Sequence, residues 1–561
     1  MRHTNSNSKP FWQNSLILIL LFSVIGIVTG YFGFLKIKYD CGNSLYTTIQ
    51  LFVLHHPFDK PIDWLLQMSR WSIFIVIILL SRDALSVLFR EQIKFLTIKL
   101  RYRNHIIICG LTEQSLQFAN KLFDKNPKER IIFIDNIPDN PFYHSLRHPR
   151  VKLIIGFPTS RTILRLANVH EAKEIFIFTD SDTQNVENTK IIFDLIKRKH
   201  RINGILECYT LIQNNEFANL LEEATLFKYP TKYFDGHLFN LNETGIKHFL
   251  IANTNKVFQG RTENIQNILL VGLTNNTEIV LRHLAHCTTI KGENFKFTII
   301  EKDRKTIDDF KKEYWYLKDF ATIEYVDEIS VLSQDYASVF VCYEQPLKAI
   351  EAAYSVHYHF AKENLNIFVF YDESNKMSQI LNEKWKDEAE KQENYTLKER
   401  NIHLINLMEE YFAFFNLDKK ITTYAEKANE EYNKLCQQQP NNKSKSNEYN
   451  DLSEHFKQSN RNQCLDNYFK FFIATGDNFD FEYKGEPVVF NETDKQNLAI
   501  MEHRRWMLEK YANGWKYGKE RNNKFKLNPY IIDWHKIDKK TQGYDYIPIN
   551  MIEIITKQEP L

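Results

Sequence analysis

The chain has no dominant charge: 72 lysines and arginines face 70 aspartates and glutamates, a formal net charge of +2 over 561 residues. No global field draws the whole molecule to nucleic acid or to an anionic substrate, and no nucleic-acid partner is expected. Paired cysteines are also missing. The seven present (Cys41, Cys109, Cys208, Cys287, Cys342, Cys436 and Cys464) form no CxxC, and several sit in apolar, strand-like runs. They predict reduced, buried thiols rather than a disulfide frame or a metal site. No cluster of residues has metal-ligand spacing, and His503 has no nucleophile near it in sequence, so no enzyme is expected. What the chain does have is apolar bulk, 43% hydrophobic and 14% aromatic, enough for several folded domains.

Two apolar tracts open the sequence. Leu16 to Leu35 carries no charge, and about 20 helical residues span roughly 30 Å of hydrocarbon. A cleaved signal peptide is the competing reading, because Lys9 precedes the apolar core, but a second tract, Trp64 to Leu80, follows closely. Arg70 falls inside that tract. An ionisable group at such depth is a candidate functional residue; alternatively the helix starts nearer Trp71 and Arg70 snorkels to the headgroups. Arg82, Arg90, Lys94, Lys99, Arg101 and Arg103 follow the second tract. By the positive-inside rule both termini face the cytoplasm, which makes this a multi-pass protein of the inner membrane with the lipid bilayer as partner.

Beyond a basic amphipathic connector, "HIIICGLTEQSLQFANKL" reads as strand, turn and helix, and "RIIFID", "VKLIIG" and "EIFIFTDSD" supply three more strands. Strands alternating with helices predict a doubly wound parallel sheet. About 160 residues later "NILLVGLTNNTEIVLRHL" repeats the first segment, including its Gly-Leu-Thr turn, and "KFTIIE", "SVFVCYE" and "NIFVFYDES" follow. The expected fold class is α/β: two transmembrane helices, tandem Rossmann-like doubly wound domains, and a small, mainly α C-terminal domain. The expected boundaries are a tail over 1–15, a membrane region and connector over 16–103, Rossmann-like domains over 104–260 and 265–375, a helical connector over 376–420, and a last domain over 421–561. "QQQPNNKSKSNEYN" within that last domain reads as a loop.

A dinucleotide seat uses three glycines in the turn after the first strand. Here only Gly110 and Gly272 are present in their respective turns, and Glu113 would put a carboxylate near a bound phosphate. Asp135 and Glu301 stand where an acidic residue would bind a ribose hydroxyl. These four are the candidate cofactor residues, for a nucleotide or NAD(H) at the first copy. Residues 104 to about 200, from "HIIICGL" to "EIFIFTDSD", together with two preceding spans, resemble the RCK (potassium-transport nucleotide-binding) regulatory domains of potassium channels and transporters; residues 265 to 372 resemble them loosely. Where that family has Gly-Asp after the third strand, this chain has Gly156-Phe157. The resemblance implies a homo-oligomer. The segment between the spans, "CGNSLYTTIQLFVLHHPFDKPIDW", has pore-helix-like periodicity without a Thr-Val-Gly-Tyr-Gly filter, which argues against a selective potassium pore.

Near the other end, "AIMEHRRWMLEKYANGWKYG" places Leu498, Met501, Leu508 and Ala512 on one helical stripe, with Arg505 inside it, to pair with a carboxylate or a ligand anion. Gly514 supplies a helix stop, and Trp515 and Tyr517 follow on an extended return. This run, with "KLNP" and "GYDY" further on, resembles the RyR domain, the repeat first recognised in ryanodine receptors. His503, Trp506, Lys510, Gly514, Trp515, Tyr517 and Gly518 occupy family positions. The resemblance implies a helical module that takes nucleotide-like or other small ligands. Arg505, Lys510 and Lys516 are candidate phosphate contacts, and Trp506, Trp515 or Tyr517 candidate stacking rings, with His503 beside them. Packing of those rings in a small core is the alternative.

The expectation is a membrane-anchored cytoplasmic ligand sensor with channel-like architecture, whose C-terminal domain controls a transmembrane oligomer through ion conductance or, in bacterial defence, membrane disruption. A membrane-tethered NAD(P)-dependent oxidoreductase and a non-catalytic scaffold are the alternatives.

Overall fold

The computed structural model describes residues 11–51, 63–146, 148–179, 181–198, 204–222, 224–258, 263–332, 335–360, 365–371, 401–437 and 448–557. Most of the expected tail, most of the expected helical connector and most of the Gln-Asn-rich loop therefore lie outside the described residues. The chain forms two compact units, Met1–Arg101 and Tyr102–Leu561.

Among the described residues the first unit holds four helices: α1 (Phe11–Lys36), α2 (Cys41–Gln50), α3 (Trp64–Leu88) and α4 (Arg90–Arg101). Two stretches, Ile17–Lys36 and Trp64–Ser81, are long and apolar enough to cross a membrane. α1 and α3 approach closely because Gly26, Gly30 and Gly33 leave no side chain between them. A Cβ on Gly30 would stand 2.7 Å from Ser69 Oγ and from Thr48 Cγ2 of α2, and one on Gly26 would stand 2.8 Å from Ile73. Small residues permit this spacing, and Ser69 Oγ donates across it to the Gly26 carbonyl at 2.7 Å. α3 begins at Trp64 rather than near Trp71, so Arg70 is well inside the helix, exposed beside exposed Trp71, while Ser69, Ser72 and Ile73 are buried. α2 occupies the first part of the segment read as pore-helix-like; residues 52–62 lie outside the described ones. Cys41, at the start of α2, is exposed, unlike the other six cysteines. The basic connector is α4, whose Ile93, Leu96 and Leu100 are exposed.

The second unit is built on two six-stranded, all-parallel sheets. The first contains β1 (His105–Cys109), β2 (Ile131–Asp135), β3 (Val151–Ile155), β4 (Ala172–Ile177), β5 (Leu206–Leu211) and β6 (Phe234–Phe239), in the order β3-β2-β1-β4-β5-β6. The second contains β7 (Asn267–Val271), β8 (Lys296–Ile300), β9 (Thr322–Val326), β10 (Ser338–Val341), β11 (Asn366–Tyr371) and β12 (Ile402–Asn406). Its order, β12-β11-β10-β7-β8-β9, is the same doubly wound topology repeated. β1 and β2 are built on runs of isoleucine and phenylalanine and are buried at every position, as parallel strands covered on both faces must be. β12 lies inside the stretch expected to be a helical connector, so the second sheet extends past residue 375 to Asn406.

Seven further helices matter below: α5 (Glu113–Lys125), α6 (Leu241–Ala252), α7 (Asn275–Leu284), α8 (Leu407–Gln437), α9 (Glu454–Leu465), α10 (Asn467–Thr475) and α11 (Glu492–Ala512). The C-terminal helices do not form a core of their own. Phe469, Phe472, Leu498, Met501 and Ile552 belong to one apolar cluster with Phe258, Phe295 and Phe297 of the second sheet's side. The expected boundary at 421 also falls inside α8. α6 crosses α8 at Gly245, where a Cβ would stand 2.7 Å from the Leu407 carbonyl oxygen. Backbone cannot step aside as a side chain can, so Gly245→Val is expected to destabilise the chain by about 1–3 kcal/mol, measured by denaturant unfolding in detergent.

Candidate functional site

The two Gly-Leu-Thr turns are built alike. Gly110 and Gly272 sit at φ +95° and +91°, a region that suits glycine. Thr112 caps α5: its Oγ1 accepts from the Ser115 amide at 3.1 Å, and Ser115 Oγ accepts from the Thr112 amide at 2.9 Å. The second turn repeats this, with Thr274 accepting from Asn276 N at 3.2 Å and Thr277 Oγ1 from Thr274 N at 3.1 Å. The carboxylates also turn inward. Buried Asp135 accepts from Leu111 N, Ile137 N and Asn140 Nδ2, and Glu301 accepts from Leu273 N, Lys302 N and Asp303 N. The Tyr343 ring lies 2.5 Å from where a Cβ on Gly272 would be. In the first turn the Leu111, Thr112 and Ser115 amides, and in both turns the acids, thus already have partners within the chain.

The predicted helix, stop and return near the C-terminus are present. α11 ends in a Schellman arrangement: Gly514, at φ +77°, donates to the Tyr511 carbonyl at 2.9 Å, and Trp515 N donates to the Lys510 carbonyl at 2.9 Å. Lys516 and Tyr517 then pair with Leu527 and Asn528. The candidate side chains divide into two groups. Lys516 and Tyr517 are exposed. His503, Arg505, Lys510 and Trp515 are buried, and Trp506 is half-buried. Lys510 Nζ sits 5.9 Å from the Trp506 ring centroid and 5.6 Å from that of Trp515, so these rings already hold a cation from their own chain. His503 stacks on Trp506 at 5.5 Å and meets the Ile532 carbonyl at 2.9 Å. Arg505, left open between a carboxylate and a ligand anion, contacts Glu502 at 3.0 Å and Glu509 at 2.6 Å.

Arg505 and Glu509 also reach a cavity of about 390 Å³ inside the second unit. It opens where the ends of β5 and β6 meet α6, α7, α8, α9 and α11. Its lining includes the aromatic residues Tyr209, Tyr411, Phe414 and Phe415 and the basic residues Lys247, Arg282, His283 and Arg461. Its carboxylates have partners. Glu243 bonds Arg282 Nη1 at 2.8 Å, Asp466 bonds His286 Nε2 at 2.6 Å, and Glu454 bonds Arg461. Lys247 differs: its ammonium donates to Asn462 Oδ1 and lies over the Phe414 ring, with no carboxylate at ion-pair distance among the described residues. Arg282 Nη2 and His283 Nε2 are buried without a hydrogen-bond partner among the described residues.

Burial sets the charge states here. It pushes the Lys247 ammonium down to about 8, against Glu243 and Glu509, which favour the charge. It also holds His283 neutral, helped by the nearby Arg282 and Lys247 charges. Glu243 and Glu509 go the other way: burial would raise them, but Arg282 and Arg505 respectively hold each at about 2, against an ordinary 4.5. Their stabilisation is therefore complete above pH 4.5 and lost as the pH falls toward 2. Lys247 destabilises while charged, so stability is also expected to rise between about pH 8 and 10.5. Thermal unfolding of the full chain in detergent, followed across this range, should show both limbs.

Lys247, Arg282 and His283 are not among the residues read from sequence. The available signal was a basic pair, Lys247-His248 in "TGIKHFLIA" and Arg282-His283 in "IVLRHLAHC", set into an otherwise apolar helical window.

No curated protein matches the chain. Among solved structures, GsuK bound to ADP is 13% identical over 72% of this chain and 97% of that one, with a TM-score of 0.37. The GsuK channel bound to NAD is 12% identical over 72% of this chain and 82% of that one, at 0.37. The GsuK RCK domain is 10% identical over 59% of this chain and 80% of that one, at 0.36. Residues 101–198, which run from the end of α4 through β4 and the helix after it, Asp182–Arg198, match the family model of the calcium-activated potassium channel slowpoke-like RCK domain, and to that regulatory domain this part of the chain is similar.

Proposed function

We propose that this chain is a membrane-anchored sensor: a small ligand binds the cytoplasmic unit and changes the state of a homo-oligomer of two-span subunits, seated in the inner membrane with both termini cytoplasmic. The observation that carries this reading is the cavity. One small molecule there would touch the first sheet, the helices α6 and α7, and α9 and α11 of the segment that resembles the RyR domain. A ligand shifts an equilibrium only through differential affinity for two states, and a site shared by three parts of one unit is where a change of packing alters affinity most. The two apolar helices and the RCK-like segment support the membrane link.

The scaffold alternative has its own support, because the ring-and-cation group around Trp506 is filled by Lys510. Reconstituting the full chain in liposomes and measuring ion flux separates the two. The full chain is needed, since residues after 421 share their core with the second sheet. Flux that responds to added nucleotides or cyclic oligonucleotides is the expected result; flux and thermal stability unchanged by every compound would leave the scaffold standing.

A further inference from the structure

α4 has apolar residues on two faces, and the fold buries one of them. Ile98 is fully buried. On the opposite face Phe89, at the break between α3 and α4, is followed by Ile93, Leu96 and Leu100 at steps of four, three and four residues, the spacing of a single helical stripe. These four are 48%, 52%, 56% and 65% exposed, as open as Leu20, Leu21 and Val24 of α1, at 57%, 51% and 59%. Single apolar side chains on a surface need no explanation, but a continuous stripe marks a contact. Cations flank this one. Lys94 and exposed Arg101 lie along one side and exposed Lys99 along the other. Over residues 82–103 six basic residues stand against two acids, Asp83 and Glu91, and Glu91 is taken up by Lys94 at 2.6 Å.

An apolar stripe between basic flanks suits a helix lying on an anionic lipid surface, its stripe at the acyl boundary and its lysine and arginine stems reaching to the headgroups. A second copy of the chain suits it less, because pressing two such stripes together brings their basic flanks side by side with no anion between them. Length places the helix at the same level. The 25 residues of α3 rise about 37 Å, more than the roughly 30 Å of hydrocarbon and within the about 40–45 Å that includes the headgroups. With exposed Trp64 at one interface, where tryptophan is favoured, α4 starts in the headgroup layer of the other. By the distribution of basic residues that side is cytoplasmic, where the leaflet carries anionic lipid.

We propose that α4 is an interfacial helix that docks on anionic phospholipid of the cytoplasmic leaflet, with Phe89, Ile93, Leu96 and Leu100 among the acyl chains and Lys94, Lys99 and Arg101 at the phosphates. The proposal rests on the reading of α1 and α3 as membrane spans. α4 is the covalent link between those spans and the rest of the chain, so the lipid surface holds that link as well, and anionic lipid becomes an input to the sensor.

The test is the collision accessibility of spin labels on the full chain in nanodiscs of equimolar phosphatidylglycerol and phosphatidylcholine. Labels are attached singly at Ile93→Cys, Leu96→Cys, Leu100→Cys, Glu91→Cys and Val24→Cys, in a Cys41→Ser background that removes the exposed thiol. At positions 93, 96 and 100, as at 24, the label should meet oxygen more and a neutral nickel chelate less, with a ratio severalfold above that at 91. In phosphatidylcholine alone, and separately with Lys99→Gln, the labels on α4 should shift toward the nickel reagent. Labels shielded from both reagents and broadened by dipolar coupling would put a second copy over the stripe and overturn the proposal. Labels open to nickel, or a pattern indifferent to lipid charge, would overturn it too. A label at 24 that behaves as in water removes the membrane reading and this proposal with it; lipid contact at 24 but not at 96 removes this proposal alone. The labels alter the stripe, so the unmodified chain is also photolysed with a phosphatidylglycerol carrying a diazirine in its acyl chain. Adducts within 89–100 are expected, and adducts confined to α1 and α3 would overturn the docking.

Discussion

Lys470→Met is expected to destabilise the chain by about 3–5 kcal/mol, the range seen when one partner of a buried ion pair is removed. Lys470, on α10, is fully buried, and its ammonium bonds both Asp466 and Glu502, the latter at 2.8 Å. Burial pulls its pKa down, but the two carboxylates outweigh that and hold it above the usual lysine value. Asp466 is held well below the usual carboxylate range, since burial, which would raise it, is overcome by His286 and Lys470. Glu502 in turn carries Arg505 on its other side. The network therefore runs from Glu509 on α11 through Arg505, Glu502, Lys470 and Asp466 to His286, which follows α7. It ties the C-terminal helices to the second sheet's domain. Methionine removes the ammonium and leaves the buried Asp466 and Glu502 each short of a partner. Denaturant unfolding of the full chain in detergent measures the loss. Adding Glu502→Gln should recover part of it, by removing one stranded charge. A loss under about 1 kcal/mol would mean that the site is hydrated, as exposed ion pairs are.

Central features of the fold were legible in sequence because burial leaves a pattern. β1, β2, β7 and β8 are buried at nearly every position, and their runs of Ile, Leu, Val and Phe stand out. β6, β9 and β12 escaped notice for the opposite reason. Their sequences "FDGHLF", "TIEYV" and "IHLIN" mix polar and apolar residues and are only partly buried, and the central β5, "LECYTL", was missed likewise because Glu207 and Thr210 interrupt its apolar run. The Gly-Leu-Thr repeat was visible as identity. What it does, a left-handed glycine followed by a capping threonine, needed the backbone.

The candidate site was less legible. The helix stop at Gly514 and the clustering of His503, Trp506, Lys510 and Trp515 follow from local spacing. The occupant of that cluster does not, since Lys510 itself fills it. The cavity draws on residues from Tyr209 to Asn513. No local pattern joins Lys247 to Arg282 or to Phe414; the packing of α6 between α7 and α8 does. A lysine in an apolar helix is ambiguous until its partners are known, and here they are Asn462 and the Phe414 ring, from two other helices.

In the first unit, Gly30→Leu is expected to separate α1 from α3. Between lipid-facing helices the hydrophobic effect gives no preference for association, because hydrocarbon solvates leucine as well as another helix does. If α1 and α3 cross the membrane as proposed, the hairpin depends on close packing and on the bond from Ser69 Oγ to the Gly26 carbonyl. Even one methyl at residue 30 would stand 2.7 Å from both Ser69 Oγ and Thr48 Cγ2. Alanine therefore requires Ser69 and Thr48 to shift, and leucine has no room until the helices part. Parting also breaks the Ser69 bond, which sits one turn away, and strips α2 of its contact at Thr48. Double electron–electron resonance between spin labels on α1 and α3, with the full chain in nanodiscs, should show a longer and broader distance distribution for Gly30→Leu. Gly30→Ala should give a smaller change of the same sign. Phe32→Leu, on the exposed face of the same helix, should leave the intrasubunit distance unchanged. An unaltered distribution in Gly30→Leu would mean that the glycines do not set the spacing of the pair.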